Sequence, residues 1–150
     1  MKSDPFLWLL AFAAGALIPV QAAANAALSR ALHANVPFAA FTLFAVALIA
    51  TAAAVMVSGA PVPAASELRL APWWSLVGGL IVAFYVFSIT FLAPRIGVGN
   101  AIALIVTGQV MAALTIDHFG LMRSLVVPLT SARAAGAALM VLGVYLALRR

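Results

Sequence analysis

Five uninterrupted apolar stretches, residues 6–28, 38–58, 73–93, 98–116 and 130–148, occupy most of this 150-residue chain. A bilayer core of about 30 Å is crossed by about 20 apolar residues of helix. No acidic residue falls inside any of the five. Hydrocarbon leaves every backbone N–H and C=O to be satisfied within the protein, so only helices and closed barrels span it. A barrel would need apolar residues in two-residue alternation, which these runs lack. The predicted fold is all-α: a polytopic membrane protein with five transmembrane helices in a single domain covering residues 1–150. The segments between spans are short, so no soluble domain is expected.

Composition excludes several function classes. The chain is 67% hydrophobic and 7% charged, against roughly 25% charged residues in a soluble domain. Its formal charge of +5 does not point to nucleic acid, because the basic residues stand singly at span ends, where headgroups lie, rather than on one face. Cysteine is absent, which removes disulfides and thiolate metal sites. The two histidines, His33 and His118, sit at different span ends, so no metal or other cofactor is expected. Intramembrane catalysis needs clustered ionisable or nucleophilic side chains, and none cluster here. An enzyme is not expected.

The first span also imitates a cleavable signal peptide, with Lys2, an apolar run from Phe6 to Ile18, Pro19 and the small residues Ala22-Ala23-Ala24. Asp4 dilutes the charged start, the apolar sequence continues to Leu28 and four more spans follow. The expectation is a retained helix.

Charge does not choose an orientation. With five spans, Lys2, Arg69, Arg123 and Arg133 fall on the side of the N-terminus; Arg30, Arg95, Arg149 and Arg150 fall on the other, four against four. The positive-inside rule needs an excess. Either Arg133 belongs within the fifth span, or the chain inserts both ways and pairs antiparallel. Two inverted five-span protomers make a ten-helix body with a two-fold axis in the membrane plane, the inverted-repeat plan of many secondary transporters. A homodimer, or a pair with a paralogous five-span chain, is therefore expected.

Polar residues inside the spans are the candidate site. Gln21 and Asn25 lie four apart on one face of the first helix, just after Pro19, which removes a helical hydrogen bond. Amides in hydrocarbon are costly unless paired, so this face looks either at a wet cavity or at a neighbouring helix, with each such helix–helix bond worth about 0.6 kcal/mol. Tyr85 and Ser88 share a face of the third span. Asn100 and Gln109 lie in the fourth, with Thr107 two turns beyond Asn100. Gln21, Asn25, Tyr85, Ser88, Asn100 and Gln109 are the predicted substrate contacts. Thr42 and Thr51 need no function, because a hydroxyl can bond back to its own helix. Gly78, Gly79, Gly136 and Gly143 let helices approach closely and are assigned to helix packing or a dimer contact. Glu67 and Arg69 mark a solvated loop, Pro94 to Gly97 a turn, and Asp117 and His118 a hydrated or capped helix end.

The ordered pattern Gly15…Pro19-x-Gln21…Asn25-Ala26-x-Leu28, Trp74…Gly78-Gly79…Tyr85, Arg95-Ile96-Gly97 and Gly108-Gln109…Asp117-x-Phe119-Gly120-Leu121 resembles the YdcZ-like family over nearly the whole chain. That family is a half-size, five-span branch of the drug/metabolite transporter superfamily, related to the small multidrug resistance proteins. The resemblance implies a bacterial inner-membrane transporter that works as a dimer or in pairs. At about 1.5 Å of rise per residue, Gln21, Asn25, Thr42, Tyr85, Ser88 and Asn100 fall in the half of the spans away from the N-terminus. Two inverted copies would offer one such half to each side, so alternating access is expected. Small multidrug resistance proteins use a first-span glutamate to exchange protons for cationic drugs. This chain has Gln21 and Asn25 there, and its acids, Asp4, Glu67 and Asp117, lie at or outside the span boundaries. Without a mid-membrane carboxylate to bind a proton or a cation, a neutral or zwitterionic metabolite, or an anion drawn by flanking arginines, fits better than a lipophilic cation. The alternative is a non-transporting membrane subunit that completes a second half-size chain.

Overall fold

The structure, a computed structural model, describes residues 5–149; Lys2 and Arg150 of the charge count, and Asp4, lie outside the described residues. Among the described residues six helices follow in order: α1 (Pro5–Ala31), α2 (Val36–Ser58), α3 (Ala65–Leu70), α4 (Val77–Ile96), α5 (Val98–Phe119) and α6 (Ser131–Leu148). Short 3₁₀ turns cover Trp73–Leu76 and Leu121–Arg123, and no strand occurs among the described residues. Five helices are long and apolar enough to cross a bilayer: Pro5–Ala31, Val36–Ser58, Trp73–Ile96, Val98–Phe119 and Ser131–Leu148. The five expected spans are therefore present, most of them extended by a few residues beyond their apolar ends.

Capping chemistry sets those ends. Asn35 begins α2, its side-chain oxygen accepting from the Phe38 amide at 3.1 Å, and Thr130 does the same for Arg133 at the start of α6, each satisfying one of the orphan donors of a first turn. Gly59 (φ 62°) and Gly120 (φ 60°) stop α2 and α5 in the left-handed region, where a residue without Cβ carries no steric penalty. The end of α1 has no glycine. His33 (φ 55°) and Ala34 (φ 63°) take the left-handed conformation instead, and the Ala34 amide closes on the Ser29 carbonyl at 2.9 Å.

Two expected loops are corrected. Pro94 does not open a turn: α4 continues through it to Ile96, and the break is at Gly97 (φ 89°). Proline removes one hydrogen bond but its fixed φ is helical, and such losses are tolerated in membrane helices. The Glu67–Arg69 segment is not loop but the short helix α3, whose Glu67 carboxylate accepts from the Ala64 amide at 3.0 Å.

The chain divides into two compact units, one running up to Arg95 and the other from Ile96. In the first, α1 packs on α2. Its buried residues are Ala22, Asn25, Ala26 and Ser29 of α1, Ala39 and Ala40 of α2, and Val86, Ile89, Thr90 and Ala93 of α4. Each set follows the three-to-four-residue spacing of one helical face. In the second unit α5 packs on α6 and on the turn at Leu121–Arg123. Arg133, in the first turn of α6, reaches back to Asp117 near the end of α5 at 2.7 Å and to the Val127 carbonyl at 2.9 Å. His118 Nδ1 accepts from the Leu129 amide at 3.1 Å. These contacts tie residues 121–130 against the ends of the two helices.

Candidate functional site

Gln21, Ala24, Asn25 and Leu28 form one stripe of α1, and Thr42, Leu43 and Val46 face them from α2 around a cavity of about 260 Å³. Asn25 stands six residues before Ala31 and Gln21 ten, which is about 9 and 15 Å of helical rise. The 27 residues of α1 measure about 40 Å, so a centred 30 Å core puts both amides inside the hydrocarbon, nearer one surface. Gln21 is half-buried and Asn25 buried. The Thr42 hydroxyl donates to the Phe38 carbonyl of its own helix at 2.9 Å, and Thr51 likewise bonds back to Ala47 at 2.8 Å.

Asn25 has a second role that spacing along α1 does not reveal. Its Nδ2 donates to Thr90 Oγ1 of α4, with both residues buried. One amide therefore lines the cavity and ties two spans together. Sequence reasoning missed Thr90. The available signal was its place four residues before Pro94: proline has no amide for the Thr90 carbonyl.

The remaining predicted contacts are distributed differently. Tyr85 and Ser88 are half-buried on α4, beside the stripe of Val86, Ile89, Thr90 and Ala93, and neither lines the cavity of Gln21 and Asn25. In the second unit the Asn100 side chain donates to the Ile96 carbonyl at 2.9 Å, and Gln109 is exposed. Gly78, Gly79, Gly136 and Gly143 are exposed, and a Cβ at any of them would meet nothing within 4 Å. On α6 the half-buried positions Arg133, Ala137, Met140 and Val144 form a separate stripe from Gly136 and Gly143.

A larger cavity of about 430 Å³ lies between α5 and α6, walled by Met111, Leu114, Leu129, Val141 and alanines. Among the described residues, Thr115 and His118 are the polar members of its wall. Thr115 bonds to its own helix and His118 holds the Leu129 amide. Selective recognition rests on placed polar groups, so the smaller, amide-bearing cavity is the stronger candidate.

The family described as "Putative inner membrane exporter, YdcZ" matches residues 6–146. This chain belongs to that family. It is also 36% identical over 80 residues to Inner membrane protein YdcZ of Escherichia coli (strain K12), a match covering 52% of this chain and 52% of that protein. The match thus spans about half the length of that YdcZ relative. No solved structure matches the chain. YdcZ-family membership and five apolar helices together make it a multi-pass protein of the bacterial inner membrane.

Proposed function

We propose that this protein moves a small polar solute across the inner membrane, with the Gln21 and Asn25 amides as solute contacts. The observation that carries the reading is their joint position on the wall of a cavity at hydrocarbon depth. Amides buried among apolar helices need partners, and Gln21, half-buried beside empty space, is placed to find one in a passing solute. The family's description as an inner-membrane exporter supports transport rather than catalysis. With no carboxylate among the wall residues to bind a proton or a cation, a neutral or zwitterionic solute, or an anion drawn by the flanking arginines, is favoured over proton-coupled exchange of cations.

The working unit in this reading is an antiparallel pair, a homodimer or a heteromer with a second five-span chain, that alternates access between its two halves. Two features support a partner. No residue of α6 is buried, and the glycine stripe of Gly136 and Gly143 has open space above it, as close helix approach requires. The same features support the second reading, a non-transporting subunit that completes another half-size chain.

Proteoliposomes holding the full chain, challenged with a labelled metabolite library in both directions, test the proposal. Flux of a defined solute, reduced tenfold or more by Gln21→Ala with the protein still folded, is the expected result. Gln21 rather than Asn25 is the variant to use, because Asn25 also holds Thr90. No flux from folded protein, alone or with a second five-span chain, would refute transport. Flux only with that second chain would identify the heteromer.

A further inference from the structure

A second cavity in the first unit, about 250 Å³, lies where α1 and α4 end and is lined by Ser29, Arg30, Ala34, Val36, Thr90, Pro94 and Arg95. We infer that this cavity binds one oxyanion group, a carboxylate or a phosphate, between Arg30 and Arg95. The inference stands apart from the transport reading, since an anion can bind whether or not it crosses.

The first support is unmet charge. The chain has three acidic residues. Glu67 is engaged at the start of α3, Asp117 is paired with Arg133, and Asp4 lies outside the described residues. Among the described residues neither Arg30 nor Arg95 has a carboxylate partner. Both sit in the last turn of their helices, where two C-termini contribute roughly −0.5 charge each. Two guanidinium charges, less about one for the two C-termini and plus about half for the N-terminus of α2 at Val36, leave about 1.5 positive charges at the cavity, which suits an oxyanion.

The second support is pre-orientation. The Arg95 guanidinium lies 3.5 Å above the Phe91 ring, and its Nη1 donates to the Phe91 carbonyl. Stacking fixes the plane of the group and leaves its other N–H donors for an oxyanion, which a guanidinium fork matches in geometry. Hydroxyl-bearing Ser29 and Thr90, both buried, complete the polar wall. Ala34 borders the same space in the left-handed conformation, which is strained for a residue bearing Cβ. Strain of this kind gathers at functional sites.

Thr90 also connects this cavity to the other one. It lines the arginine cavity, while its hydrogen-bond partner Asn25 lines the amide cavity. The Asn25–Thr90 bond thus stands between an outer basic chamber and an inner neutral one.

The oxyanion could come from a soluble anion or from an anionic lipid headgroup, and the test separates them. Full-length protein labelled with ¹⁵N-arginine is placed in phosphatidylcholine nanodiscs and the arginine Nε–Hε resonances are followed. One arm titrates sodium phosphate against sodium chloride of equal ionic strength; the other substitutes phosphatidylglycerol into the disc. A saturable shift at Arg30 and Arg95, without a parallel shift at Arg149, supports the site, and the responding arm names the source. Arg149 is a fair control because it too lies over an aromatic ring, that of Tyr145. Arg30→Gln and Arg95→Gln are each expected to weaken binding tenfold or more. No saturable shift in either arm, an equal shift at Arg149, or unchanged affinity in Arg30→Gln would overturn the inference.

Discussion

Thr90→Val is an almost isosteric change that removes one hydroxyl from the bond between α1 and α4. The Asn25 amide, 4% exposed, then loses its acceptor, and an orphaned buried donor costs about 1–3 kcal/mol. Asn25→Ala acts from the other side. The freed Thr90 hydroxyl can turn to the Val86 carbonyl four residues back, so this hydrogen-bond penalty should be the smaller of the two, about 1 kcal/mol or less. The double variant isolates the pair. Interhelical hydrogen bonds in membranes average about 0.6 and reach about 1.7 kcal/mol, roughly a 3- to 18-fold change in the unfolding constant. Reversible unfolding in mixed micelles, read by helical circular dichroism on the wild type, both single variants and the double, gives the coupling energy directly. A coupling within about 0.3 kcal/mol of zero, the usual scatter for independent sites, would refute the claim that this bond fastens the first span to the third.

Three further outcomes follow from local geometry. Ala34→Gly relieves left-handed strain of roughly 1–2 kcal/mol but loosens the unfolded chain by roughly 0.5–1 kcal/mol, so the same unfolding assay should show a net gain of up to about 1.5 kcal/mol; a loss would contradict the strain. Gly120→Ala puts a methyl 2.6 Å from Val126 Cγ2 at a φ of 60° and should lose at least about 1 kcal/mol, with Val126→Ala in the same background restoring only the steric share; full restoration would show that the backbone conformation carries no cost. Asp117→Asn breaks an ion pair whose side chains are 31% and 35% exposed, and because partly exposed pairs contribute little it should cost less than about 1 kcal/mol while speeding proteolysis within residues 121–130. Unchanged cleavage would mean that the pair does not hold that segment.

The spans, their helical character and most of their ends were legible in the residues alone. Hydrocarbon acts on each residue separately: a run of about 20 apolar side chains must enter it, and the backbone inside must bond to itself. The Asn35 cap that starts α2 two residues before its apolar run was not read from the sequence. Pro94 misled because proline is a breaker in water but tolerated in a membrane helix. Gln21 and Asn25 were recognisable as a polar face for the same reason, since an amide in lipid is conspicuous wherever it falls.

Which faces meet was a matter for the tertiary structure. Asn25 and Thr90 are 65 residues apart, and a threonine in an apolar helix carries no mark of its partner because it can always bond to its own backbone. Arg30 and Arg95 border one cavity, while Arg133 turns to Asp117, although all three arginines look alike as isolated basic residues near span ends. Spans that are apolar on every side leave little pattern to say which side faces protein. The choice falls to packing between helices, a property of pairs of surfaces that no single stretch of sequence contains.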